Sequence, residues 1–453
     1  MGKNLKCEVL IIGAGPAGAS LAFYLAGKGI ESILIDKKQR IDTPLRCAEY
    51  VPAPIVRLFG GPISGINCST VSMDTYIDYK YANTIPSPGF MLDRPVFLRT
   101  LVDSFIKQGG KFMPGTKAVS FDEGYGGTFK SGHAKISIRN RDQQNNESIG
   151  KDIQQKESRG IGFKKEGLRR KDFRDNDPGM VSTVIQGRYE KRSIIRSKIV
   201  VGADGPNSIV GKYIGSINSG YILGLGEKIP VEAKDKNKTL IFFSPKIEGG
   251  YGWLFPKEGS TNIGIGCQFA VNKKNINITL KNIYKDFKNE IFSMDFLDQK
   301  GGRSDTDEKI DAGEPIEQPD MIPRSQNSGL MTGLIPASGM LKKTVSGSFI
   351  LAGDAAGLTN PITGTGIYNA VNSSKIISSV ISKALKNSEM DLLSDIEKQY
   401  LDTFGRSLQR AISRRVELMD SWPGGNGPDA YSKSDFNVLI RKCWISFKDY
   451  WRP

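Results

Sequence analysis

Glu8-Val-Leu-Ile-Ile12 runs straight into Gly13-Ala-Gly15-Pro-Ala-Gly18, and Ser32-Ile-Leu-Ile-Asp36 places an acid eighteen residues beyond the last glycine. The first run is short, apolar and β-rich, so it reads as a buried strand; the apolar stretch from the glycines to about Gly27 reads as a helix. Strand, turn, helix and strand make a βαβ unit, which implies a parallel sheet with a right-handed crossover. In such a turn Gly13 permits the tight bend, Gly15 lets a pyrophosphate approach the backbone, and Gly18 allows close packing of helix on strand. Pro16 and Ala17 complete the turn at a helix N-terminus that faces the phosphates. Asp36, followed by Lys37, is placed to accept ribose hydroxyls. The fingerprint predicts a dinucleotide site and leaves FAD and NAD both open.

Outward from this unit, the bulk properties narrow the classes. Val9 to Ala26 is the nearest approach to a membrane span, but Gly13, Gly15, Pro16 and Gly18 interrupt it, and no transmembrane helix is expected. A motif that begins within the first dozen residues argues against a signal peptide, and Lys6 argues against myristoylation. The 453 residues are 38% hydrophobic and 25% charged, which describes a globular chain of two or three units. Cys7, Cys47, Cys68, Cys267 and Cys443 show no C-x-x-C pair, so no zinc or iron–sulfur site is expected. Their scatter points to a reducing compartment, the cytoplasm. His133 is the one histidine, which argues against a histidine base or metal site. The net charge is +15, and Phe129–Lys198 holds eighteen Lys/Arg against nine Asp/Glu. That surplus reads either as a solvated loop or as a docking surface for a membrane or an acidic partner. No nucleic-acid motif accompanies it, and no nucleic acid is expected.

Further along, Pro95–Gln108 reads as an amphipathic helix and Lys111–Phe121 as extended. The polar stretch 124–178 reads as a mobile insertion with a β-hairpin at its base. Met180–Gln186 and Ile194–Val201 read as strands, Ile222–Phe269 as a β-rich unit, Ser348–Ala352 as a strand, Gly364–Ala384 as a long helix, and the last sixty or so residues as mainly helical. The aromatic, basic tail around Trp444, Phe447 and Trp451 suits a membrane interface or a cap over a hydrophobic substrate tunnel or over the core, with the cap favoured.

The later motifs carry a resemblance. Val200-Val-Gly-Ala-Asp204-Gly205-x-x-Ser208 resembles the Asp-Gly motif of para-hydroxybenzoate hydroxylase-like flavoproteins. Phe349-Ile-Leu-Ala-Gly353-Asp354-Ala-Ala-Gly357 with Asn360-Pro361-x-x-Gly364-Thr365-Gly366-Ile367 resembles their third flavin motif. Pro44-Leu-Arg46-Cys47-Ala48-Glu49, Asp93-Arg94-x-x-Phe97-x-Arg99-x-Leu101, Tyr251-Gly-Trp253-Leu-Phe255-Pro256-Lys257 and Gly333-Leu-Ile-Pro336 resemble segments of the geranylgeranyl reductase family. The resemblance spans about residues 7–122 and 194–385, and it departs where Tyr50 replaces the family's usual glycine.

The resemblance implies an α/β fold: a Rossmann-type FAD-binding domain with an inserted β-rich substrate domain and a helical C-terminal region. The expected boundaries are 1–49, 90–222 and 330–385 for the FAD domain, 50–89 and 223–329 for the substrate domain, and 386–453 for the C-terminal region. It implies FAD as cofactor, held by the glycine turn, Asp36, Lys37, Arg46, Cys47, Ala48, Arg99, Val119 (through its backbone), Asp204, Gly205, Gly353, Asp354 and Gly364–Ile367. Reaction-side candidates are Cys47, Glu49, Tyr251 and Trp253; the two aromatics, two apart, share one face of a strand. The implied activity is saturation of carbon–carbon double bonds in a long-chain isoprenoid or related lipid. Hydride would come from flavin N5 and a proton from Cys47, Glu49 or a water. The reductant stays open between NAD(P)H and a ferredoxin, for which the basic surface suits an acidic donor protein. Three other readings remain: a flavin monooxygenase, a quinone-linked dehydrogenase, and a non-catalytic flavin protein at a membrane surface.

Overall fold

The computed structural model describes residues 5–41, 47–123, 179–188, 192–268, 276–298, 330–423 and 433–446. Arg46, His133, Phe447, Trp451 and the expected insertion at 124–178 lie outside them. Strand β1 (Leu5–Ile12), helix α1 (Pro16–Ala26) and strand β2 (Ser32–Asp36) form the βαβ unit. Val9, Leu10 and Ile11 are fully buried, as expected of a strand covered on both faces. Pro16 opens α1, where its missing N–H costs nothing. Next come β3 (Tyr50–Pro52), α2 (Ile55–Phe59), β4 (Ile66–Ile77) and β5 (Lys80–Leu92). Helix α3 (Arg94–Lys107) starts at an Asp93 cap that accepts from the Val96 amide at 3.1 Å. Strands β6 (Lys111–Pro114) and β7 (Thr116–Asp122) follow, then β8 (Val181–Gly187), β9 (Ser193–Gly202) and α4 (Ile209–Ile214).

Strands β10 (Tyr221–Ile229), β11 (Lys238–Phe243), β12 (Tyr251–Lys257) and β13 (Ser260–Gln268), helix α5 (Ile276–Ser293) and β14 (Met331–Pro336) form the β-rich middle. Strands β15 (Val345–Ser346) and β16 (Phe349–Leu351) lead to α6 (Ile367–Asn387), α7 (Asp395–Tyr400), α8 (Arg406–Asp420) and α9 (Lys433–Ile440).

Two eight-stranded sheets result among the described residues. The first runs β15-β16-β9-β1-β2-β6, with β8 also on β9 and β7 on β8; β1 lies parallel to both β2 and β9. Strands β7 and β8, which flank 124–178, pair antiparallel. The second runs β14-β10-β13-β12-β11-β4-β5-β3, antiparallel except where β11 meets β4. Met331–Pro336 pairs with β10 in this second sheet, just past residue 330.

The second sheet obeys the period of two. Leu240, Phe242 and Leu254 face a core shared with Leu280, Tyr284 and Phe287 of α5. Ile241, Phe243 and Phe255 face the opposite core, with Trp422, Phe436 and Trp444 of the C-terminal region. The first sheet packs against α1, α3 and α6, and Tyr400 and Phe404 of the C-terminal region join that core. Among the described residues no helix is long and apolar enough to cross a membrane, and none form a cluster placed to hold a metal ion.

Candidate flavin and substrate site

One cavity of about 1220 Å³ runs from the glycine turn to the aromatic face of the second sheet. Sites for a single drug-sized ligand span about 300–1,000 Å³, so this one has room for a large cofactor with a second molecule beside it.

At the glycine end each position has a separate reason. Gly13 has φ +103°, and a Cβ there would lie 2.4 Å from the Ala203 carbonyl oxygen. A Cβ on Gly18 would lie 1.7 Å from the Gly13 carbonyl oxygen, so Gly18 serves packing rather than the cavity wall. Gly15 lines the cavity, and a Cβ there meets no protein atom within 4 Å. Asp36 accepts from the Ala14 amide at 2.7 Å and the Lys38 amide at 2.8 Å, which locks its carboxylate at the cleft edge. Pro16, Ala17, Lys37, Val119 and Gly205 line the same end.

Asp204 accepts from the Ile209 amide at 2.7 Å through one oxygen; its other oxygen is buried with no hydrogen-bond partner among the described residues. The Nε of Arg94, also on the cavity wall, is likewise buried without a partner there. An orphaned acceptor and an orphaned donor on one cavity suit a ligand that brings both hydroxyls and phosphate oxygens, as FAD does. Asp354 accepts from the Thr359 hydroxyl at 2.6 Å. Burial pushes the Asp204 and Asp354 carboxyls above the usual range. Asn360 holds the next turn by accepting from Ile362 N at 2.9 Å and Thr363 N at 3.1 Å. Gly364, Thr365, Gly366 and Ile367 line the cavity where α6 begins, and no side chain caps that helix. Its positive end therefore faces the cavity and favours negative charge on a ligand bound there. Gly353, at φ +56°, packs behind this wall against Ala17 and Ala370.

At the other end the walls are apolar: Met73, Ile241, Tyr251, Trp253, Phe255 and Trp444. Tyr251 and Trp253 do share a face, with ring centroids 6.5 Å apart. The Tyr251 hydroxyl donates to the Thr363 carbonyl, which ties the second sheet to the turn before α6. Trp444, the cavity's far wall, is buried against Phe243 (5.0 Å) and Tyr251 (5.2 Å) and donates to the Thr75 hydroxyl at 3.3 Å.

Cys47, Ala48 and Glu49 join the two ends. The Cys47 carbonyl accepts from Asn262 Nδ2 at 3.2 Å, and Asn262 in turn accepts from the Trp253 indole at 2.9 Å. Burial pushes the Cys47 thiol up, against the pull of Arg94. Glu49, 2% exposed, is paired with Lys257, 3% exposed, at 2.5 Å. Arg99 is exposed on α3 and is not among the lining residues, whereas Arg94 is. Five residues apart, the two fall about 140° apart around the helix. Arg94, Lys257 and Asn262 fall in the segments that carry the family resemblance but were given no site role there, and Thr359 had none either. Lys257 carried a usable signal, because it continues the Tyr251, Trp253, Phe255 alternation on one strand face.

A βαβ cleft with an acid at the second strand, buried aspartates on two later turns and an uncapped helix facing the same cavity define an FAD-binding oxidoreductase. The comparisons agree: a family model described as an FAD binding domain matches residues 6–50. Digeranylgeranylglycerophospholipid reductase of Methanococcus aeolicus is 27% identical over 421 residues, covering 91% of this chain and 86% of that protein. Its namesake in Methanocaldococcus jannaschii is 25% identical, with 91% and 86% covered. A geranylgeranyl bacteriochlorophyll reductase-like structure from Thermoplasma acidophilum shares the fold at TM-score 0.65 and 20% identity, covering 98% of each chain. So does p-nitrophenol 4-monooxygenase of Pseudomonas putida, at TM-score 0.60 and 13% identity, covering 98% and 95%. Along about nine tenths of its length the chain is thus similar to these digeranylgeranylglycerophospholipid reductases.

Proposed function

We propose that this protein saturates carbon–carbon double bonds of a long-chain isoprenoid lipid at the cavity between its two sheets. The observation that carries the reading is the continuity of that cavity, from a dinucleotide cleft to an apolar chamber walled by Tyr251, Trp253, Phe255 and Trp444. FAD, bound in reduced form, supplies a hydride. The chain's own residues then have three tasks. The uncapped start of α6 and Asp354 hold the cofactor end, with Asp204, Asp36 and Lys37 along its length. The aromatic wall orients an alkene and keeps water out, and its ring faces stabilise positive charge that develops as the alkene is protonated. The Cys47 thiol, kept protonated by burial, gives the second carbon its proton and is reprotonated from water. Hydride and proton together convert one C=C to one CH–CH. We assign the first sheet and its helices to cofactor binding and the second sheet to the lipid. NAD(P)H and an acidic ferredoxin are the candidate reductants; the net charge of +15 favours the ferredoxin. The same charge gives the membrane, from which a lipid must come, a surface to attract.

The test is anaerobic. The FAD-loaded protein is reduced with dithionite and given geranylgeranyl lipids while flavin absorbance and product mass are followed together. Reoxidation matched by two-dalton gains in the lipid supports the reductase. Flavin that stays reduced until oxygen enters, then turns over with rapid oxygen uptake, supports the monooxygenase reading, which the p-nitrophenol 4-monooxygenase likeness keeps in view.

A further inference from the structure

Glu49 is the one non-glycine residue with a left-handed backbone that lines the cavity among the described residues, at φ 68°. Side chains avoid that region unless their surroundings over-determine it, and here every polar group of Glu49 is engaged. Its carbonyl accepts from the Leu92 amide at 2.9 Å. Its amide donates to the Cys47 sulfur at 3.2 Å. One carboxylate oxygen accepts from the Arg94 amide at 3.1 Å, at the first residue of α3. The other meets Lys257 Nζ at 2.5 Å, and the same ammonium donates to the Leu92 carbonyl at 2.8 Å.

A buried ion pair is a poor source of net stability, because desolvating two charges offsets most of their attraction; fixing one conformation is its better-attested use. What this pair fixes is plain from its partners. Lys257 ends β12, the strand that carries Tyr251 and Trp253. Glu49 follows Cys47 by two residues and sits against the start of the helix that carries Arg94. The pair thus joins the aromatic wall to Cys47 and Arg94, which both line the cavity. Each carboxylate oxygen of Glu49 is tied to the protein frame, one to the start of α3 and one to the end of β12.

We propose that Lys257 and Glu49 form a buried clasp that sets the positions of Cys47 and Arg94 in the cavity. They are positioning residues, and this inference rests on the proposed reading of that cavity. The tests use Lys257→Met alone and with Glu49→Gln, the double variant removing both buried charges so that folding is preserved where the single change impairs it. In FAD-loaded enzyme, loosening the clasp is expected to slow lipid-driven flavin reoxidation by about a hundredfold, the scale of a misplaced reacting group. The half-saturating lipid concentration is expected to move less than about threefold, since ground-state binding is retained. Alkylation of Cys47, mapped by peptide mass, is expected to rise about tenfold in both variants as the hold on its sulfur opens. Reoxidation and Cys47 alkylation both staying within about twofold of the parent in the double variant would overturn the clasp. If the parent enzyme itself is not reoxidised by lipid, the proposed function falls, and the alkylation ratio alone still decides the clasp.

Discussion

Gly15 and Gly18 are three residues apart, belong to one motif, and predict opposite failures. A methyl on Gly18 must displace the Gly13 carbonyl, so Gly18→Ala is expected to destabilise the FAD-free protein by about 3 kcal/mol, as overpacking does. A methyl on Gly15 meets no protein, so Gly15→Ala is expected to leave the FAD-free melting temperature unchanged and weaken FAD by about tenfold or more, by occupying the space a pyrophosphate needs. Thermal melts with and without FAD separate the two; equal melting losses in both would break the assignment. Asp204 makes a pH prediction. Burial raises its folded pKa, so above the ordinary 3.8 the native state holds the proton more tightly than the unfolded chain. Stability is therefore lost as pH rises from 3.8 toward the folded value, and the deficit persists at neutral pH. Asp354 is shifted in the same direction and adds to the effect. Asp204→Asn is expected to stabilise the FAD-free protein at pH 7 by about 1–3 kcal/mol, the cost of an unsatisfied buried polar group, while weakening FAD. The gain should vanish near pH 3.5, and a gain that grew on acidification would refute it. At this scale the glycines and Asp36 were legible, since each serves a backbone constraint written in one residue type. Lys257 was harder to read, because a lysine at a strand end looks like solvent-facing charge until its partner, 208 residues away, is known.

Helices and strands converge on one short turn. The segment Asn360–Gly366 is held from the second sheet by the Tyr251 hydroxyl, and from α8 by Arg415, which donates to the Pro361 carbonyl at 3.1 Å and the Gly249 carbonyl at 3.2 Å. Arg415 is 7% exposed, and burial lowers it to about 10. The C-terminal region is therefore part of the site's frame. Its described end places Trp444 on the apolar wall of the chamber, buried against Phe243 and Tyr251. Trp444→Ala is expected to cost about 3–5 kcal/mol in denaturant unfolding, as large aromatic truncations do. It should also raise the lipid concentration needed for half-maximal flavin reoxidation more than it lowers the maximal rate. Trp444→Phe should restore most of both. If Trp444→Ala loses stability with lipid dependence unchanged, the residue packs the core without bounding the substrate. Sequence made the helix at α6 and the alternation of β10–β13 legible, because one amphipathic period decides each. Arg415 left no such trace, since its acceptors on Gly249, Pro361 and Gln268 come from two turns and the end of β13, which only the fold brings together.

Over the whole molecule, the order of elements was legible because each flavin motif sits on a turn between a buried strand and a following turn or helix; the pairing of β14 with the second sheet was less so, because strand neighbours 105 to 115 residues apart, from Gly226–Met331 to Tyr221–Pro336, leave no local signal. Charge is the other property that belongs to the whole chain. A net +15 on 453 residues is too large to be neutralised by one dinucleotide, and it acts at distances where single contacts do not matter. If the physiological donor is an acidic ferredoxin, encounter is steered by that charge and must weaken as salt shortens the screening length from about 10 Å at 0.1 M to about 3 Å at 1 M. The second-order rate of flavin reduction by a reduced ferredoxin is then expected to fall by about tenfold or more across that range. Reduction by NADPH, which presents only a few charges at close range, is expected to change far less. Stopped-flow traces at increasing ionic strength, with each donor in turn, compare the two directly. A ferredoxin rate flat in salt, or NADPH reduction that outpaces it at every salt concentration, would remove the charge from electron supply. The membrane would then be left as the surface that the charge serves, and binding to anionic vesicles that weakens with salt is the result that reading requires.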